Sequence, residues 1–137
     1  MKLAADANVL LSAVIGGQAM RVLRHAAIEE LLTTETTLAE VQEYAGQLAR
    51  KRRLAIDVVL LAAATLPVTT VAKATYTASM AEARKRIGRR DPDDVELLAL
   101  AMQLEIPLWS NDNDFENTGV VWYTTEELLA FLNRSEE

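Results

Sequence analysis

Short apolar runs alternate with stretches of helical spacing along this chain, and acids stand at several of the junctions between them. That alternation favours a parallel sheet sandwiched between helices, in which ligands gather beyond the carboxyl ends of the strands. Leu3-Ala4-Ala5 is a short apolar run that ends at Asp6, and Asn8 to Val14 then reads as a helix closed by Gly16-Gly17. Ala19 to Ala27 reads as a second helix, and Ile28 to Thr33 as a second strand before a threonine-rich turn over Thr33 to Thr37.

Leu38, Val41, Ala45, Leu48 and Arg52 are spaced for one helical face, and Ile56 to Leu66 is an apolar helix stopped by Pro67. The β-branched Val68 to Val71 suggests a third strand. Tyr76 to Ile87 reads as an amphipathic helix ending at Gly88, and Pro92 to Leu104 as another, with Asp91 as its cap and Pro92 at its first position. Pro107 to Ser110 reads as a buried strand, Asn111 to Gly119 as a polar loop, Val120 to Tyr123 as another strand, and Thr124 to Asn133 as a terminal helix.

A chain of 137 residues suits one domain over residues 1–137, and 50% hydrophobic with 25% charged residues is the composition of a globular fold rather than a disordered one. With no cysteine, neither disulfides nor thiolate metal sites can form, and a reducing cytoplasm is the expected setting. The first residues meet Asp6 too early for a signal peptide, and the run from Val58 to Pro67 is too short to span a bilayer, so no membrane association is expected.

The net charge of -6 runs against a polyanionic partner. Its distribution qualifies that objection, because Arg50 to Arg53 and Arg84 to Arg86 with Arg89-Arg90 form two dense basic segments, readable either as solvated helix ends or as binding surfaces.

Asp6, Glu40, the group Asp91, Asp93 and Asp94, and the pair Asp112 and Asp114 all follow strands or open helices. In a doubly wound sheet such positions share one edge, so these acids can face one cleft. Oxygen-only ligands suit hard cations such as Mg²⁺ or Mn²⁺, and His25, the one histidine, reads as a surface helix residue rather than a zinc ligand. Two such ions can hydrolyse a phosphodiester without a side-chain nucleophile.

Each acid also has a structural explanation. Thr37-Leu38-Ala39-Glu40 fits a capping box, in which Glu40 would bond the amide of Thr37, and Asp91-Pro92-Asp93-Asp94 makes a good helix start. Asp6 could cap the next helix, and Asp112 and Asp114 could be loop residues. Asp94, however, shares a face with Leu97, Leu98 and Ala101 at the edge of the apolar stripe, where an unpaired acid is costly; Asp93 reads as solvated.

The chain resembles the PIN-domain nucleases, the family that includes VapC-like toxin ribonucleases, over nearly its whole length. Ala5 to Leu10 is similar to the family's first acidic motif, Thr37 to Val41 to its second, and Arg90 to Ala101 followed by Ile106 to Phe115 to its third and fourth. The resemblance implies a three-layer α/β/α domain with Asp6, Glu40, Asp94 and Asp112 carrying Mg²⁺ or Mn²⁺. Asp114 and Asp91 are outer candidates, and Asn8, Thr37 and Ser110 would orient water or carboxylates. The fourth motif offers Asp112 or Asp114 as ligand, and the tandem acids at 91, 93 and 94 allow more than one register. The resemblance further implies a single-stranded RNA substrate, a homodimer and, for toxin members, a small antitoxin that blocks the cleft.

Other classes fit less well. A phosphoacceptor receiver would want adjacent acids where Asp6 is followed by Ala7, and an aspartyl phosphatase a second aspartate where Asn8 stands. The remaining alternative is a non-catalytic PIN-like module for RNA binding or protein interaction, its acids serving as caps.

Overall fold

The computed structural model describes residues 1–135. Five strands, β1 (Lys2–Ala5), β2 (Glu30–Thr34), β3 (Thr69–Val71), β4 (Leu108–Trp109) and β5 (Trp122–Tyr123), form one sheet in the order β3-β2-β1-β4-β5. Every pairing is parallel, with Leu3 opposite Leu31, Ala5 opposite Trp109 and Trp109 opposite Tyr123. The helices are α1 (Ala7–Val14), α2 (Ala19–Leu23), α3 (Glu35–Lys51), α4 (Ile56–Ala64), α5 (Lys73–Tyr76), α6 (Met80–Ile87), α7 (Val95–Leu104) and α8 (Thr125–Ser135).

Alternation along the strands builds the three layers. Leu3, Ala5, Leu31 and Trp109 point to one face and pack in a cluster with α1, α3, α4 and α8, whereas Ala4, Leu32 and Leu108 point to the other and pack with α6 and α7. Strands β1, β2 and β4 are buried on both faces at nearly every position, which is why they read as near-continuous apolar runs. Leu3, Leu10, Leu98 and Leu108 are fully buried, and each contributes roughly 1.5–3 kcal/mol through the apolar surface it removes from water. Trp109 is fully buried as well, its indole Nε1 donating to Thr125 Oγ1 at 3.0 Å, so the ring's one polar atom is satisfied at the start of α8.

Several boundaries depart from the sequence reading. No turn lies between Thr33 and Thr37. Both Thr33 and Thr34 belong to β2, because the Thr33 hydroxyl bonds Ala5 O at 2.9 Å and so enters the sheet at no polar cost. Thr34 then caps α3, accepting from Thr37 N at 2.9 Å. The buried face of α3 runs through Thr37, Val41, Ala45 and Ala49, and Arg52 is exposed beyond the helix end.

The helix expected over Ala19 to Ala27 stops at Leu23, and His25 lies in the following turn, where its Nδ1 accepts from Ala27 N. The helix expected from Tyr76 is broken by a tight 3₁₀ turn at Thr77–Ser79, and the first three residues expected in α7 form a separate 3₁₀ turn at Pro92–Asp94. Strands β4 and β5 are two residues each, with a 3₁₀ turn at Asn113–Phe115 between them. A capping box is present at α8: Thr124 N donates to Glu127 Oε1 at 3.0 Å, and Glu127 N donates to Thr124 Oγ1 at 3.2 Å.

On α4, Val59 and Ala63 are buried while Val58 and Leu61 are 66% and 64% exposed, which leaves an apolar outer face. Among the described residues no helix is long and apolar enough to cross a membrane.

Candidate metal centre

The strand order reverses beside β1, which carries β2 on one side and β4 on the other, so the crevice beyond their carboxyl ends is where this topology gathers ligands. Asp6 follows β1 at that crevice. Its backbone amide donates to Trp109 O at 3.0 Å, extending the ladder, and its carboxylate turns to cap α1, Oδ1 accepting from Ala7 N at 2.7 Å. The side chain is 7% exposed.

Across the ladder Ser110 follows β4, fully buried, and donates its hydroxyl to Asp6 Oδ2 at 2.7 Å. The same Oγ accepts from Asn8 Nδ2 at 3.2 Å and from Asp112 N at 3.0 Å, and Asn8 Nδ2 also donates to Asp6 Oδ2 at 3.3 Å. Asn8 Oδ1 in turn accepts from Asn111 N, and Asn111 Oδ1 from Thr125 N. One serine hydroxyl therefore sets the positions of Asp6, Asn8 and the backbone of Asp112.

Asp91, Asp94, Asp112 and Asp114 each offer one carboxylate oxygen, and these four atoms lie within 4.8 Å of one another. At that separation and an effective dielectric of about 20, each ionised pair repels by roughly 3 kcal/mol or more. Two of the four also serve the backbone: Asp91 Oδ1 accepts from Asp93 N at 3.1 Å and Asp112 Oδ1 from Asp114 N at 2.9 Å, each capping its short turn. Asp94 makes no such cap. It is 9% exposed, and its Oδ2 is buried without a hydrogen-bond partner.

Burial pushes the Asp94 carboxyl up to about 9, helped by the charge of Asp6, a hydrogen bond to Asp91 and the charges of Asp91 and Asp112. Burial also raises Asp6, where the Ser110 and Ala7 hydrogen bonds pull the other way and Asp112 and Asp91 add to the rise. Glu40, half-buried on α3, is raised by burial and then by Asp93, Asp6, Asp91 and Glu43.

The residues fit a divalent cation. An orphaned buried carboxylate oxygen and three neighbouring acids form an oxygen-only donor set that is costly by itself and satisfied by a hard positive ion.

Asp94 and Asp112 share the tight group with Asp91 and Asp114, the two acids expected only as outer candidates. Asp6 stands beside it, coupled by charge to Asp94, and Glu40 faces it from α3. Glu40 does not close a capping box, because α3 begins three residues earlier than that reading needs and the Thr37 amide is taken by Thr34. The Thr37 hydroxyl accepts from Thr34 Oγ1 at 2.8 Å, inside the helix start and on no carboxylate. Asp93 is exposed.

Two arginines that the sequence placed only in a basic segment make specific contacts within the fold. Arg90 Nη1 donates to Asp114 O and to Glu116 O, both at 3.1 Å, and Arg86 Nη1 donates to Thr118 O at 2.8 Å. Lying four residues apart, they tie the loop that bears Asp112 and Asp114 to the chain that bears Asp91 and Asp94. The adjacency of Arg90 to Asp91 was the only sequence signal for this.

A family model described as PIN domain matches residues 5–133. No curated protein sequence matches the chain. Among solved structures, the chain is similar to VapBC2 from Rickettsia felis bound to a DNA fragment from its promoter, with TM-score 0.69, 14% identity and coverage of 90% of this chain and 98% of that one. It is similar to VapBC-1 from nontypeable Haemophilus influenzae, with TM-score 0.65, 15% identity and coverage of 92% and 99%. Mycobacterium tuberculosis VapC20, a Sarcin-Ricin loop cleaving toxin, gives TM-score 0.60 at 18% identity, covering 87% and 96%. At such identities these likenesses establish the fold.

Proposed function

This chain belongs to the PIN-domain family, and from that premise we propose that it is a metal-dependent endoribonuclease, the toxin of a toxin-antitoxin pair. The observation that carries the reading is Asp94, a buried acid with an unpartnered oxygen beside three other carboxylates. Asp6, Glu40, Asp94 and Asp112 would hold Mg²⁺ or Mn²⁺, with Asp91 and Asp114 completing the donor set. A divalent cation bound there would supply an activated water and stabilise the departing oxygen of a phosphodiester. Ser110 and Asn8 hold Asp6 in one orientation, and Ser110 fixes the start of the loop that carries Asp112 and Asp114.

RNA as substrate is supported by the VapC20 likeness, and an antitoxin partner by the VapBC likenesses. A homodimer through the apolar outer face of α4 and a cytoplasmic location complete the proposal.

A second reading is favoured by the caps. Asp6, Asp91 and Asp112 each bond backbone amides, as they would in a non-catalytic PIN-like module that binds RNA or a protein. Asp94 separates the two, since it caps nothing. The deciding experiment is cleavage of a labelled single-stranded RNA with Mn²⁺, with EDTA and with Asp94→Asn protein. Metal-dependent cleavage lost in the variant supports the nuclease; metal-independent or absent cleavage removes it.

A further inference from the structure

The charge on α6 and the residues after it divides into two sets. Arg86 is bound to Glu82 and Thr118, and Arg90 to Asp114 and Glu116, so both are engaged within the fold. Arg84, Lys85 and Arg89 are exposed, and among the described residues no carboxylate pairs with them. These three cations, with Ala81 and Gly88, line a surface depression of about 710 Å³.

Position distinguishes this patch from the other basic segment. Arg89 is two residues from Asp91, a Cα separation of at most about 7 Å. Arg50 to Arg53 close α3, whose 1.5 Å rise per residue carries them roughly 15 Å or more along the axis from Glu40. Of the two basic segments, only the one over Arg84 to Arg90 runs directly into the chain that carries Asp91 and Asp94.

Resting on the nuclease reading above, we propose that Arg84, Lys85 and Arg89 form the docking surface for the phosphate backbone of single-stranded RNA, holding the strand beside the acidic cluster. A chain with a net charge of -6 and a knot of carboxylates at its centre repels a polyanion, so a strand must be held by local positive charge next to those acids. No aromatic residue lines the depression, so bases have nothing to stack on and binding reads phosphates rather than sequence.

The test is fluorescence anisotropy of a labelled, mixed-sequence single-stranded oligoribonucleotide in EDTA across a salt series, where cleavage does not interfere. The proteins are the parent, the triple variant Arg84→Gln, Lys85→Gln, Arg89→Gln, and a second triple variant Arg50→Gln, Lys51→Gln, Arg52→Gln that removes the same charge elsewhere. Each phosphate contact on a single strand contributes about 0.7 to the slope of log affinity against log salt. The first variant should therefore lose about 2 from that slope and bind roughly tenfold more weakly at low salt, while the second stays near the parent.

The Mn²⁺ thermal shift should be the same in the parent and the first variant, since none of the three cations belongs to the donor set. Equal RNA binding by the parent and the first variant, equal losses in both variants, or no RNA binding by the parent would overturn the proposal. So would loss of binding to phosphatidylserine vesicles alone, which would assign the patch to a membrane surface. RNA binding that depends on the patch without Mn²⁺-dependent cleavage would leave the docking surface standing and remove the nuclease.

Discussion

Ser110 and Asp6, 104 residues apart in the chain, are joined by a buried 2.7 Å hydrogen bond across the β4–β1 seam, and the same hydroxyl receives Asp112 N. Ser110→Ala removes the donor that orients Asp6 and the acceptor that holds the Asp112 loop. The expected result is a loss of about 1–3 kcal/mol in stability and a 10–100-fold fall in metal affinity or cleavage. Calorimetry and an Mn²⁺ titration check it; wild-type Mn²⁺ affinity would show that Asp6 is held by other means.

Asp94→Asn separates function from stability. At neutral pH the metal-free fold must hold a proton on the Asp94 carboxyl, and the substitution removes the cost of taking it up, so the metal-free protein should gain a few kcal/mol while cleavage is abolished. Thermal melts in EDTA alongside an RNA cleavage assay read both effects, and a destabilised variant would contradict the electrostatic account.

The pH dependence follows from the same acid. In the unfolded chain Asp94 titrates near 4, and in the fold it is pushed up to about 9. Between those values the folded state holds the extra proton, so stability without metal falls as pH rises. The stability gap between Asp94→Asn and the parent should widen from about pH 4 towards pH 9 in EDTA and not exist below it. A gap independent of pH would mean that Asp94 titrates normally.

Mn²⁺ should stabilise the protein by mass action, by about 2.7 kcal/mol at a hundredfold excess over its dissociation constant. The midpoint shift is roughly 8 °C for a domain of this size. Differential scanning fluorimetry with and without Mn²⁺ measures it, and an unchanged midpoint would leave the acids as caps.

Arg90→Ala should loosen the loop whose carbonyls it holds at Asp114 and Glu116. About 1 kcal/mol of stability would be lost, since the contact is exposed, but the Mn²⁺ concentration at half-saturation should rise about tenfold. Partial restoration by Arg90→Lys, which keeps a donor without the fork, would separate this positioning role from bulk charge.

The layers were legible because strands buried on both faces leave uninterrupted apolar runs between amphipathic helices, and the acids at their ends stood out against that background. Helix starts were less legible. Thr33, Thr34, Thr36 and Thr37 offer several capping registers, and the choice of Thr34 depends on Thr33 reaching Ala5 O across the sheet, a contact no local pattern reveals. The approach of Asp91 to Asp112 and Asp114, and the arginine ties that hold it, likewise arise from packing between distant segments. The two-residue length of β4 and β5 reflects how little of each apolar run finds a ladder partner.

The place of β1 between β2 and β4 also sets an order of events during synthesis. Ala4 can meet Leu32 early, yet its other edge has no partner until Leu108 leaves the ribosome, and Asp112 follows later still. At roughly 5–20 residues per second, on the order of 5–20 s separate the emergence of Asp6 from that of Asp112. For that interval the nascent chain carries an open central edge and an incomplete set of acids, so the carboxylate group closes only when the segment bearing Asp112 and Asp114 arrives, and the site is among the last parts of the molecule to form.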